Sequence, residues 1–158
     1  MKQRIIDRLV ELGIAYKLVE HQPVFTVEES RSVMPDKFPV RNLLLKEEKG
    51  ERLIFVIMPG EERLDTKSLA KEIDCKKLQF AKPEVLMSSL GVTPGSASVF
   101  SLLHQGAKHV EVVIDRMLAD KPALGFHPNL NTETIIISGA NLQKFAASLD
   151  NKVTWAEL

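Results

Sequence analysis

The chain predicts an α/β (α+β) domain in which a mixed β-sheet is surrounded by helices, and three observations carry that prediction. Helical and strand-like patterns interleave without strict alternation, which argues against a purely parallel sheet. Two strand-like runs, residues 42–45 and 52–58, are apolar enough to be buried on both faces. With 158 residues the chain can build one sizeable core but not two comfortable ones. No internal repeat, low-complexity stretch or linker divides it, so residues 1–158 are expected to form a single domain.

The elements follow in order. Ile5, Ile6, Leu9, Val10 and Leu12 recur at helical spacing and Gly13 stops the pattern, so a helix is expected over residues 2–12. Residues 15–20 then read as a short strand. Thr26 followed three residues later by Glu29 is a capping-box pattern, which predicts a second short helix ending before Pro35. An irregular loop is expected over residues 34–39. The two apolar runs come next, joined by the polar stretch 46–51 as a hairpin. Asp65 or Thr66 can cap a helix through Ile73, and Pro83 suits the first turn of another ending near Leu90, with Gly91 as its stop. Strands are expected over residues 110–114, 123–126 and 133–137. A last helix covers residues 140–149, and residues 153–155 form a closing strand or tail.

Composition narrows the class of partner. Lys plus Arg equals Asp plus Glu at 21 each, so the whole chain exerts no long-range pull on nucleic acid, and any RNA must be held by a local patch. No recognition-helix motif or basic stripe supports DNA binding. The single cysteine, Cys75, excludes an internal disulfide and a cysteine-built metal site and fits a reducing compartment. Residues 1–7 lack the apolar run of a signal peptide, and no stretch approaches the roughly 20 apolar residues that span a bilayer. The expected location is the cytoplasm, with no membrane partner.

Two segments concentrate the chemistry. In Gly91-Val92-Thr93-Pro94-Gly95-Ser96, two glycines around a proline allow a tight turn whose peptide N–H groups face outward, a form that either serves only as a turn or holds a developing oxyanion. In Gly125-Phe126-His127-Pro128-Asn129, a histidine and an asparagine stand beside a second forced turn. His127 either ties that turn to backbone or works in a site. None of the four histidines, His21, His104, His109 and His127, belongs to a metal-binding pattern, so no metal is expected. Ser96, Ser98 and Ser101 lack the Gly-x-Ser-x-Gly elbow and read as loop formers or hydrogen-bond donors. Arg41-Asn42 stands at the entrance of the first apolar strand, as a surface pair or as a cation and an amide held at the rim of the core. Lys46-Glu47-Glu48-Lys49 reads as a solvated hairpin tip, and the odd spacing from Arg41 to Lys46 puts those side chains on opposite strand faces.

Taken in order, these motifs resemble the YbaK family of aminoacyl-tRNA deacylases, whose fold is shared by the editing insertion domain of bacterial prolyl-tRNA synthetases, and within it the free-standing PrdX-like proteins. The likeness runs through His21-Gln22-Pro23-Val24-Phe25-Thr26-Val27-Glu28-Glu29, Arg41 to Lys46, Leu64-Asp65-Thr66-Lys67-Ser68-Leu69, Gly91 to Ser96, and Gly125 to Thr132. It implies hydrolysis of the ester that joins a wrongly attached small amino acid to the terminal ribose of a tRNA, alanine on proline tRNA being the leading case. An aminoacyl ester is already reactive, so positioning a water and stabilising the oxyanion suffice. On that model Gly91, Thr93, Gly95, Ser96 and His127 are the catalytic candidates, with the glycine-loop backbone donating to the ester carbonyl. Arg41, Asn42, Lys46, Pro94 and Asn129 are the substrate-binding candidates, His127 and Asn129 at the amino-acid end and Asn42 at the terminal adenosine. The resemblance implies no cofactor, aminoacyl-tRNA as partner, and a synthetase as a candidate second partner.

The pattern departs from its relatives at one position. They carry lysine where this chain has Arg41, which keeps the charge but cannot serve as a general base. The competing expectation is a non-catalytic module of the same fold that binds aminoacyl-tRNA or an amino acid.

Overall fold

A computed structural model describes residues 1–23 and 37–158. The helix expected to begin at Thr26, and residues 34–36 of the loop that follows, lie outside the described residues. Helix α1 (Lys2–Glu11) ends at Leu12, with Gly13 at φ 69° reversing the chain, and buries Ile5 and Leu9. Strand β1 (Lys17–Glu20) follows. Strands β2 (Val40–Glu47) and β3 (Leu53–Pro59) pair antiparallel as the anticipated hairpin, Leu44 opposite Phe55 and Leu45 opposite Ile54.

Helix α2 (Thr66–Glu72) starts where Asp65 accepts hydrogen bonds from the backbone N–H groups of Lys67 and Ser68. Those bonds hold the Asp65 carboxyl below its usual pKa, the Ser68 N–H contributing most. A short strand, β4 (Leu78–Phe80), has no clear sequence signal and precedes α3 (Pro83–Leu90), which carries Pro83 in its first turn and Gly91, at φ 70°, as its left-handed cap. Three 3₁₀ turns, Val99–Leu103, Gln105–Ala107 and Arg116–Asp120, flank β5 (Glu111–Asp115). Strands β6 (Leu124–Phe126) and β7 (Glu133–Ile137), helix α4 (Gly139–Ala147) capped by Ser138, and β8 (Val153–Ala156) complete the chain.

The strands divide into two sheets where one was expected. Five form a mixed sheet in the order β4-β2-β3-β5-β8, with β3, β5 and β8 mutually parallel in pairs, and three form an antiparallel sheet in the order β1-β7-β6. The division has a local origin: β1 and β6 both take β7 as partner, and a single isolated bridge, Phe38 to Leu124, links β6 to the chain just before β2.

Alternation along β3 explains why it is apolar throughout. Phe55 and Ile57 face the main core, which α1, α4, the 3₁₀ turn at Val99–Leu103 and the inner face of the small sheet close over. Ile54, Val56 and Met58 face a second core beneath Leu69 and Ala70 of α2. Phe100 meets Phe145 of α4 and Phe126 of β6 edge-on, at centroid separations of 5.2 and 5.9 Å, and so fixes the 3₁₀ turn against the end of β6. At the far end, Arg52 grips both carboxylate oxygens of Glu111 at 2.8 Å and the carbonyls of Ile73 and Asp74 at 2.9 Å, tying the hairpin to β5 and to the end of α2. Cys75 stands beside this cluster, where burial pushes its thiol above the usual range and so leaves it protonated, in keeping with a structural role.

Candidate active site

The glycine loop follows α3. Thr93 to Ser96 form a turn closed by the Ser96 N–H donating to the Thr93 carbonyl at 3.2 Å, with Pro94 in the second position and Gly95, at φ 90°, in the third. Only glycine takes that φ readily, which is the local reason for the Pro-Gly pair. Among the described residues the Thr93 and Gly95 N–H groups have no acceptor, and both residues are exposed.

Gly91 has a different task. Its N–H is spent on the carbonyls of Leu86 and Met87 at the end of α3, and a Cβ there would lie 2.6 Å from the His104 ring. Gly91 therefore shapes the approach to the loop and supplies no donor to it, contrary to the expectation that the whole Gly91-to-Gly95 backbone would donate.

Two buried serines join this loop to the second segment. Ser98, at the start of the 3₁₀ turn, accepts from the Phe100 N–H at 3.2 Å and donates its hydroxyl to the His127 carbonyl. Ser101 accepts from the Ser98 N–H at 3.0 Å and donates to Asn129 Oδ1 at 2.7 Å. A hydroxyl has one proton to give, so both are committed, and neither serine is poised as a nucleophile. No base engages the Ser96 hydroxyl among the described residues. With Oδ1 taken, Asn129 has its Nδ2 amide protons left to offer, and its φ of 65° is the left-handed conformation that asparagine tolerates.

His127 is tied by its Nδ1 to the Glu133 carbonyl at 2.8 Å. A carbonyl only accepts, so Nδ1 carries the proton and Nε2 the lone pair. Burial pushes the imidazole below its ordinary pKa; the bond to Glu133 opposes this, while His21 and Lys37 add to the lowering. The ring is thus neutral at neutral pH. The turn-anchoring reading of His127 made from sequence holds: Nδ1 ties the ring to the Glu133 carbonyl.

The first-strand candidates separate across the sheet. Arg41 pairs with Met58 and faces the α2 side, its guanidinium reaching the Glu62 carbonyl at 3.5 Å. Asn42 pairs with Ile57 on the main-core side, where its Oδ1 is enclosed without a donor among the described residues. Lys46 shares that face with Asn42 but lies at the hairpin end, donating to the Gly50 carbonyl at 2.8 Å and the Glu47 carbonyl at 3.4 Å. Its ammonium closes the β2–β3 turn where a substrate contact was expected, because those carbonyls lie within reach of its own strand end. Among the described residues no three His, Cys, Asp or Glu side chains gather as a metal site, and no helix is long and apolar enough to cross a membrane.

Residues 21–145 match the model of the aminoacyl-tRNA editing domain. This chain belongs to that family. Within the editing-domain family, it is 35% identical to the prolyl-tRNA editing protein ProX of Acetoanaerobium sticklandii, over 99% of this chain and 97% of that one. It is 28% identical to prolyl-tRNA synthetase associated domain-containing protein 1 of Danio rerio, over 92% of this chain and 80% of that one. The fold is shared with a solved structure described as "a putative trans-editing enzyme for prolyl tRNA synthetase", at a TM-score of 0.73 and 19% identity over 99% of this chain and 96% of that one. The editing-domain likeness read from the ordered motifs is borne out along nearly the whole chain.

Sequence reasoning missed two members of the site. Thr134 and His21 lie on the outer face of the small sheet beside His127, brought there by strand pairing: Thr134 sits opposite Val19 of β1, and the His21 N–H donates to the Thr132 carbonyl one step beyond the ladder. His21 was visible as one of four histidines, but nothing local tied it to His127.

Proposed function

We propose that this protein is a trans-editing aminoacyl-tRNA deacylase, hydrolysing the ester that links a wrongly attached small amino acid to the terminal ribose of a tRNA, with alanine on proline tRNA as the substrate. The reading is carried by one observation: Ser98 and Ser101 brace the His127-to-Asn129 turn against the segment that follows the glycine loop, so unpaired backbone donors and a neutral imidazole belong to one rigid unit. The names of the two curated relatives support the assignment to proline-tRNA editing.

Each part then has a task. The Thr93 and Gly95 N–H groups donate to the ester oxygen as it gains charge in the tetrahedral intermediate, and Pro94 holds the turn in shape. Water adds to the ester carbon, the ribose oxygen leaves with a proton, and the products are the free amino acid and the tRNA. His127, through Nε2, and Asn129, through Nδ2, hold the amino-acid end, and Asn42, whose Oδ1 is enclosed, supports the adenosine end from within the fold. Arg41, on the opposite face of β2 from Asn42, takes no part in the proton transfer, since a guanidinium cannot accept the proton. A wall that excludes larger aliphatics selects a small side chain by size, as a hydrophobic pocket does. Because the chain as a whole carries no net charge, a synthetase partner is proposed to raise the local concentration of tRNA.

The test is a deacylation time course against alanyl-tRNA of the proline type, seryl-, threonyl- and cysteinyl-tRNA, with prolyl-tRNA as control. Selective loss of the alanyl species is expected, and Gly95→Val, which puts a side chain on a backbone at φ 90°, should abolish it. Intact tRNA binding with no hydrolysis of any species would replace the enzyme by a binding module.

A further inference from the structure

Three polar side chains from the ends of three strands line up on the outer face of the small sheet. His21 follows β1, Thr134 lies in β7 and His127 follows β6. Thr134 is 1% exposed although it points away from the main core, so its hydroxyl must find partners within the protein. His21 Nδ1 lies 2.7 Å from the Gln22 carbonyl, which only accepts, so His21 in its neutral form carries its proton on Nδ1 and presents a lone pair at Nε2. That lone pair is 2.7 Å from Thr134 Oγ1 and takes the hydroxyl proton.

The remaining lone pairs of Thr134 then face His127 Nδ1 at 3.4 Å, beside the Glu133 carbonyl at 2.8 Å. Among the described residues His127 Nδ1 is thus confronted by two acceptors. Were the threonine proton not drawn off by His21, it could turn to Nδ1 and support the opposite tautomer. The site also leaves no room for a side chain at residue 125, where a Cβ would stand 2.9 Å from Thr134 Cγ2.

We infer that His21 is a positioning residue that, by drawing off the Thr134 hydroxyl proton, holds His127 in the tautomer protonated at Nδ1 against the Glu133 carbonyl, so that Nε2 is offered as an acceptor to an ammonium group or water at the aminoacyl end. The catalytic consequence rests on the deacylase reading above; the tautomer lock does not. His21 acts through Thr134 and His127 and needs no contact with substrate.

The imidazole nitrogens report the lock directly. In ¹⁵N-labelled whole protein at neutral pH, long-range ¹H–¹⁵N spectra should show His127 with a protonated Nδ1 and an unprotonated Nε2. His21→Ala, which frees the Thr134 proton to turn to Nδ1, should give averaged signals from both tautomers and lower kcat by roughly ten-fold with KM little changed, while adding Thr134→Val, which removes that proton, should restore the single tautomer. His21→Phe should give the same averaging and serves if the alanine variant fails to fold. A wild-type ring protonated at Nε2, or an unaltered His127 pattern in the folded His21→Ala or His21→Phe variant, would overturn the inference. An intact lock in a protein that hydrolyses none of the tRNA panel would overturn the deacylase reading and leave the lock standing.

Discussion

The two sheets do different work although both are built from short apolar strands. In the five-stranded sheet, β3 is buried from Leu53 to Pro59 and packs on both faces, and the polar groups at its margin, Arg52 and Glu111, are paired with each other. In the three-stranded sheet only the inner face, with Leu124, Phe126, Ile135 and Ile137, joins the core. Its outer face carries Gly125, Thr134, His127 and His21. A strand buried on both sides has no side chain to spare for chemistry, whereas one anchored by a single face can present polar groups on the other without giving up its packing. The two sheets thereby differ in what their faces carry, the large one buried on both sides at β3 and the small one polar on its outer face.

That difference can be broken from the large sheet first. Phe55→Ala removes a fully buried ring from the centre of β3 and should cost about 3–5 kcal/mol in urea unfolding, while the rate per folded molecule at low temperature stays close to that of the parent. A large loss of rate in the folded fraction would mean that the large sheet supports the site more directly than its contacts indicate.

From the other side, His127→Ala should lower deacylation about 100-fold, in the range expected for a positioned imidazole, and change stability by only about 1 kcal/mol, since one backbone hydrogen bond is lost. A destabilisation as large as that of Phe55→Ala would make the histidine a structural strut.

The smallest effect sharpens the comparison through pH. Burial depresses the His127 pKa in the folded protein, so the unfolded chain binds the proton more readily. The associated stability is fully present above the ordinary value of 6.5 and is lost as pH falls from there through the folded pKa, with His21 and Lys37 adding to the depression and the Glu133 carbonyl opposing it. Between pH 7 and 5 the parent should lose more stability than His127→Ala. Parallel curves for the two proteins would show that the ring titrates as it does in water.

How much of this could be read in advance depends on how far apart the determining residues lie. Asp65 ahead of Thr66, Pro83 in a first turn, Gly91 after Leu90 and Pro94-Gly95 in a turn are settled by neighbours a few residues away, and each stands where the sequence put it. The hairpin was legible because a polar stretch separates two apolar runs. Strand β4 was not, since Leu78 is the one residue of its three that is buried and it borrows its identity from pairing with β2. The 3₁₀ turn of Ser98 and Ser101 was read only as loop, because the groups those hydroxyls hold, His127 and Asn129, lie 29 and 28 residues further along the chain.

By itself, then, the sequence determined the local elements, the family and the two turns proposed to carry the chemistry, because caps, turns and hydrophobic period act over a few residues. The tertiary structure decided the division into two sheets, the spending of the Gly91 N–H and of the Lys46 ammonium on local carbonyls, and the meeting of His21, Thr134 and His127. The Gly91 and Lys46 bonds reach carbonyls a few residues away but need the helix end and the hairpin turn in three dimensions. The meeting of His21 with Thr134 depends instead on pairing between β1 and β7, more than a hundred positions apart, and on which lone pair faces which proton once they are paired.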